Sequence, residues 1–193
     1  MKKILILMAL SGMLIPTLAS AALDYNAVDA SYATTGYQNN ETLTTLNFGF
    51  SRSISNDFYL AASYGHGYQT SNTSYDIKTN SISAGAGYHT PLKDNADGIA
   101  EGHIALGSAK WAGKTASANG YDIGAGVRAE LGHEIEGTVM AIHASISDGT
   151  LTRTDTFLNV RLGFNFLTKF QMVLGMDLFK TDSTSSLGVR FFY

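Results

Sequence analysis

The stretch Leu158-Asn159-Val160-Arg161-Leu162-Gly163-Phe164-Asn165-Phe166 decides the fold. Every even-numbered residue in it is apolar, and every odd-numbered one is polar or tiny. Side chains of an extended chain point alternately to two sides, so this period of two marks a β-strand with one face in an apolar medium. The next stretch repeats the pattern. Met172, Leu174, Met176 and Leu178 oppose Gln171, Gly175 and Asp177, with Val173 the exception. The last stretch sets Leu187, Val189, Phe191 and Tyr193 against Gly188 and Arg190.

The same alternation extends towards the N-terminus. Leu46, Phe48 and Phe50 share a face, as do Phe58, Leu60, Ala62 and Tyr64. Ile82, Ala84, Ala86 and Tyr88 form another such set, and Tyr121, Ile123, Ala125, Val127, Ala129 and Leu131 the longest. Strands are predicted at 25–35, 42–52, 57–66, 77–89, 97–110, 120–132, 135–146, 154–166, 170–181 and 185–193. The phase of 135–146 is ambiguous. The reading adopted puts Met140, Ile142 and Ala144 on the apolar face and His143 opposite. Short connections fall at 53–56, 133–134 and 167–169, and longer ones at 67–76, 112–119 and 147–153. The turn 90–96, holding Pro91, and the short loop 182–184 break that alternation.

A soluble β-sandwich also alternates, but its polar face meets water and carries Lys, Glu and Thr. Here the non-apolar face is rich in Gly, Ser and Ala, as the crowded inside of a narrow barrel requires. Aromatic residues sit near strand ends on the apolar face: Tyr64, Tyr88, Tyr121, Phe164, Phe166 and Tyr193. Two such girdles mark a barrel that spans a membrane. The expected fold is therefore all-β: a transmembrane, antiparallel, up-and-down barrel of about ten strands, with eight the alternative count.

Composition agrees. The chain has ten Tyr, ten Phe and 20 Gly but only two Pro. Its net charge of −3 argues against a nucleic-acid partner, which requires a basic face. Cysteine is absent, which excludes a disulfide-stapled scaffold. Met1-Lys2-Lys3, the apolar run from Ile4, and the small residues Ala19-Ser20-Ala21 read as a secretory signal peptide cut before Ala22. Residues 1–21 are thus expected to be removed on export, leaving 22–193 as one barrel domain. Nothing after residue 21 approaches the apolar run that a spanning helix needs.

The final octapeptide Ser186-Leu187-Gly188-Val189-Arg190-Phe191-Phe192-Tyr193 resembles the C-terminal signal of outer-membrane barrels. The resemblance implies that Gly188, Phe191 and Tyr193 are read by the barrel-assembly machinery. With strand motifs such as Ser83-Ala84-Gly85-Ala86-Gly87-Tyr88 and Gly124-Ala125-Gly126-Val127-Arg128, the whole mature chain resembles the small outer-membrane barrels of the broad OmpX/Ail-like and opacity-type company. That implies a place in the cell outer membrane of a Gram-negative bacterium, lipid and lipopolysaccharide as surroundings, and a monomer. Those relatives have eight strands and long adhesive loops, whereas ten strands and short loops are read here.

Charges facing the lumen need partners. Strand depths suggest three cross-strand pairs: Asp29 with Arg190, Glu101 with Arg128, and Arg161 with Asp177. They are expected to brace the lumen or, in a second reading, to line an ion path. The function expected is a structural barrel or a narrow passive pore for ions and very small solutes.

Other functional classes find less support in the residues. His143-Ala144-Ser145 resembles the His-x-Ser pair of the lipid A deacylases, with Asp148 or Asp155 as the orienting acid. Ile146 replaces the usual Asn, and an inward His143 could not reach lipid, so no catalytic residues are assigned and no enzyme is expected. Glu101-Gly102-His103 offers two ligands on one face, too few for a metal site. No cofactor is expected. The Tyr/Ser/Asn-rich loop 67–76 leaves surface interaction or adhesion as a third class.

Overall fold

The computed structural model of the protein describes residues 25–36, 42–69, 76–132, 134–180 and 182–193. The expected signal peptide, most of the loop 67–76, and His133 lie outside those residues. The described chain forms ten strands: β1 (Ala27–Gly36), β2 (Thr42–Ser53), β3 (Phe58–Gln69), β4 (Ile77–Lys93), β5 (Ala96–Trp111), β6 (Lys114–Gly132), β7 (Ile135–Ser147), β8 (Thr152–Leu167), β9 (Phe170–Leu178) and β10 (Ser183–Phe192). Each pairs antiparallel with its sequence neighbours, and β1 pairs with β10, so the sheet closes on itself. Closure leaves no sheet edge with unpaired backbone groups, the condition for crossing lipid with strands.

The alternation resolves into outside and inside. Ile104 is 71% exposed, whereas Arg128 is 1% exposed. The apolar side chains form an outer belt, and the polar ones fill the lumen. Call the end where β1 begins and β10 finishes proximal, and the other distal. Phe50, Phe58, Tyr88, Phe166, Phe170 and Phe191 ring the proximal rim of the belt. Tyr32, Tyr64 and Tyr121 mark its distal rim.

Turns depart from expectation at three places: the loop read at 182–184 gives way to paired strand from Ser183, because β9 already ends at Leu178, and two other turns tighten. The segment 112–119, read as a loop, is mostly strand: β5 and β6 run on to Trp111 and Lys114 and join through Ala112 and Gly113. Both have positive φ, 47° and 75°, as a two-residue hairpin turn demands. The longish turn at 90–96 tightens in the same way, with β4 and β5 paired to Lys93 and Ala96 and a register shift between Pro91 and Lys93. A proline with no N–H to give is accommodated at such an irregularity.

The phase adopted for 135–146 is overturned. Met140, Ile142 and Ala144 point inward and are buried, while Val139, Ala141 and His143 point outward. The charge settles it. Glu136 has the same parity as Met140, and a carboxylate costs far more in lipid than a thioether does in the lumen.

Candidate functional site

Among the described residues the lumen gathers the buried polar groups, beside an aromatic cluster at one mouth and an apolar cluster along β7. At the proximal end Tyr25, ahead of β1, turns into the barrel mouth. Its ring stacks on Tyr59 of β3, with centroids 4.4 Å apart and planes 20° apart, and on His89 of β4 at 4.1 Å. Its hydroxyl donates to Asp97 of β5 at 3.4 Å, and the Arg128 guanidinium of β6 lies 4.9 Å from the ring centre. Phe192 of β10 joins the same buried cluster. The plug therefore reaches from the β10–β1 seam across to β6. Burial pushes the Tyr25 phenol above its ordinary range, with Arg128 pulling the other way. Tyr59 fits because its register partner is Gly87, over which the ring lies; a methyl group there would run into it.

The middle layer is polar. His103 places Nδ1 2.8 Å from Asp122 and Nε2 3.5 Å from Glu101. Arg128 donates from Nε to Glu136 at 3.0 Å, and Arg190 from Nη1 to Gln171 at 3.2 Å. Asn159 donates to Asp177. A cavity of about 30 Å³ remains here, beside Asp29, Asn47, Arg161 and Arg190. That is room for about one water molecule.

An apolar cluster runs along β7 beside that polar layer and on to the distal end, with Ile99 of β5 as its most proximal member. Met140, Ile142, Ala144 and Ile146 of β7 pack with Phe157 of β8, Ala109 of β5, Ala118 of β6 and Leu43 of β2. In a ring of ten strands β2 stands opposite β7, so this cluster also spans the lumen. Above it Arg153 donates to Asp155 at 2.7 Å and lies 3.9 Å from Asp182.

Of the three charge pairs expected, Asp29 and Arg190 face each other as register partners across the β1–β10 seam. Arg128 makes its ion pair with Glu136 rather than Glu101, because Asp97, not Glu101, is its register partner on β5. Arg161 stands opposite Gly175, two residues from Asp177, whose register partner is Asn159. Sequence reading missed Glu136, Tyr25 and the whole distal plug. Period two alone could not find that plug, because both faces of β7 are largely apolar.

Around His143 the geometry does not assemble a triad. His143 and Ser145 point outward, correcting the inward placement. The His143 ring lies 2.9 Å from Thr156 Oγ1, and Ser145 accepts from Thr154. Asp155 points into the lumen, toward Arg153. Asp148 accepts from the backbone N–H of Thr150 and Leu151 in its own turn. Neither carboxylate orients His143. Among the described residues no three His, Cys, Asp or Glu side chains are grouped to hold a metal.

The C-terminal residues lie on the seam. Phe191 packs on Phe170 with ring centres 5.0 Å apart, and the Tyr193 hydroxyl donates to the Ser51 carbonyl at 3.1 Å. Gly188 runs close to β1: a Cβ there would come within 2.8 Å of the Ala30 carbonyl oxygen.

No family model matches the chain, and no curated protein matches it in sequence. Solved structures do. The β domain of the Bordetella autotransporter Brka aligns with a TM-score of 0.55 and 12% identity, covering 88% of this chain and 100% of that one. Neisserial surface protein A aligns at 0.44 and 17% identity, over 91% and 100%. Ail, the attachment invasion locus protein of Yersinia pestis, aligns at 0.40 and 14%, over 87% and 97%. All three are small outer-membrane β-barrels. At 12% identity, what the Brka domain shares with this chain is the fold.

Proposed function

We propose that this chain is an integral protein of the cell outer membrane, exported by its N-terminal signal peptide, whose barrel is closed along its axis and serves as a structural, surface-presenting element. The observation that carries this reading is the pair of buried apolar clusters in the lumen, one aromatic at the proximal mouth and one aliphatic that runs from Ile99 and Met140 to Leu43 on the opposite wall, with buried polar groups beside them. An ion with its hydration shell does not fit the roughly 30 Å³ cavity beside Asp29, Arg161 and Arg190. The proximal end then faces the periplasm and the distal end the exterior. The charged lumen residues Asp29, Glu101, Arg128, Arg161, Asp177 and Arg190 act as internal braces. Gly188, Phe191 and Tyr193 serve the assembly machinery, and the barrel works as a monomer.

Single-channel recording of the refolded protein in a planar bilayer, beside a boiled control, tests the closed lumen. A silent protein that still shows a heat-modifiable, folded band on electrophoresis is the expected result. Steady openings would refute it in favour of a narrow passive pore, with Arg161, Asp177 and Arg190 as its selectivity candidates.

A further inference from the structure

The outer wall of β3, β4 and β5 carries a feature that a closed lumen does not use. Lys78 and Lys110 are direct register partners on β4 and β5, and both are exposed on the outward face beyond the distal rim of the belt. Directly opposed residues on neighbouring strands have Cβ atoms about 4.5–5.5 Å apart, where like charges repel. The ion pairs among the described residues involve neither lysine. The carboxylate nearest in sequence is the exposed Asp76.

Below the lysines the same two strands continue as a ladder. Asn80 stands opposite Ser108, then Ile82 opposite Leu106. The wall thus steps from cation to amide and hydroxyl to aliphatic within five residues of each strand. An open groove of about 420 Å³ follows it, walled by Tyr64, Ile82, Leu106 and Ser108. Hydrogen bonds order its polar rim. The Tyr64 hydroxyl donates to Asn80 Oδ1 at 3.1 Å, and His66 Nδ1 lies 2.8 Å from the same oxygen.

We propose that this wall holds a phosphorylated, acylated lipid of the outer leaflet. The two lysines share a phosphate, Asn80 and Ser108 meet the polar linkage beneath it, and an acyl chain lies in the groove over Ile82 and Leu106. The proposal rests on the outer-membrane reading above. Charge complementarity selects the occupant. A phosphate turns the Lys–Lys repulsion into two charge-assisted hydrogen bonds. A free anion would leave the apolar groove unused, and an uncharged lipid would leave the lysines opposed.

Native mass spectrometry of the refolded protein in detergent tests this, with bisphosphorylated lipid A as the probe and its dephosphorylated form and inorganic phosphate as comparisons. The wild type is expected to retain lipid A. K78Q/K110Q should retain it at least about tenfold more weakly, because each glutamine leaves at most a neutral hydrogen bond where the lysine made a charge-assisted one. L106N should weaken it too, and K169Q, at the other end of the barrel, should not. Each variant is scored only with a heat-modifiable, folded band, and S108Y, which fills the groove without touching a charge, stands in where L106N does not fold. Equal retention by K78Q/K110Q, or equal retention of the dephosphorylated lipid, overturns the proposal. Inorganic phosphate binding as tightly as lipid A overturns the lipid assignment. Cell fractionation separates the two failures. A wild type found outside the outer membrane removes the underlying reading, whereas one that resides there and ignores lipid A refutes this site alone.

Discussion

Removing Tyr25 tests the two-plug architecture most directly. The side chain is 1% exposed and sits between Tyr59 and His89, with Asp97 and Arg128 at its edge. Truncating a buried large aromatic residue to alanine costs about 3–5 kcal/mol. Tyr25 lies at the mouth of the barrel, where water can fill the space left behind, so Tyr25→Ala is expected near the lower end, about 3 kcal/mol. Equilibrium unfolding by urea in lipid vesicles reads that figure. Conductance is expected to stay silent, because Leu43, Met140, Ile142 and Phe157 still reach across the lumen. Adding Phe157→Ala opens the second plug. The two sites lie in separate clusters, so their costs should add to about 6 kcal/mol, and the folded fraction of the double variant should conduct. If Tyr25→Ala alone conducts steadily, the distal cluster is no seal. If the folded double variant stays silent, the seals lie elsewhere and the reasoning fails.

Three further outcomes follow from the same geometry. Glu136→Ala strands the Arg128 guanidinium in the lumen and should cost about 3–5 kcal/mol; a Glu101→Ala variant costing as much by the same urea assay would contradict the pairing. Leu174→Arg, on the outward face of β9, should destabilise the barrel in vesicles by about 2–4 kcal/mol if that face meets lipid, and an unchanged unfolding midpoint would count against a membrane belt. The Tyr25 phenol is held above its ordinary value of 10.0 by burial. Its contribution to stability is therefore full below pH 10 and is lost as pH rises beyond it, so the wild type should lose stability more steeply than Tyr25→Phe above pH 10. Parallel slopes for the two would show that the hydroxyl is not buried as described.

Much of the barrel could be read from the chain because lipid and lumen impose opposite demands on alternate residues. Leu158 to Phe166 shows this cleanly: Asn159 and Arg161 turn inward to polar partners while Leu158 and Leu162 meet the belt. The rule fails where the lumen itself becomes apolar. On β7, Met140, Ile142 and Ile146 face inward to build the distal plug, so hydrophobicity no longer distinguishes the two sides. Glu136 was the informative residue there, through its parity. The 112–119 segment misled for the converse reason. Beyond the belt the outward face of β6 meets water, and Thr115, Ser117 and Asn119 read as a loop although they are paired strand. Partner choice inside the lumen was less accessible still. It depends on stagger between strands, which puts Asp97 rather than Glu101 opposite Arg128 and which no local pattern encodes.

The proximal cluster joins residues from the two ends of the described chain: Tyr25 ahead of β1 and Phe192 at the end of β10, with β3, β4 and β6 supplying the rest. Its members therefore meet in full only once the β1–β10 seam has zipped. Without that pairing the sheet would be an open trough with its charged groove exposed to water. One pairing both removes the sheet's edges and corks the vessel, so integrity against leakage and topological closure depend on the same contact.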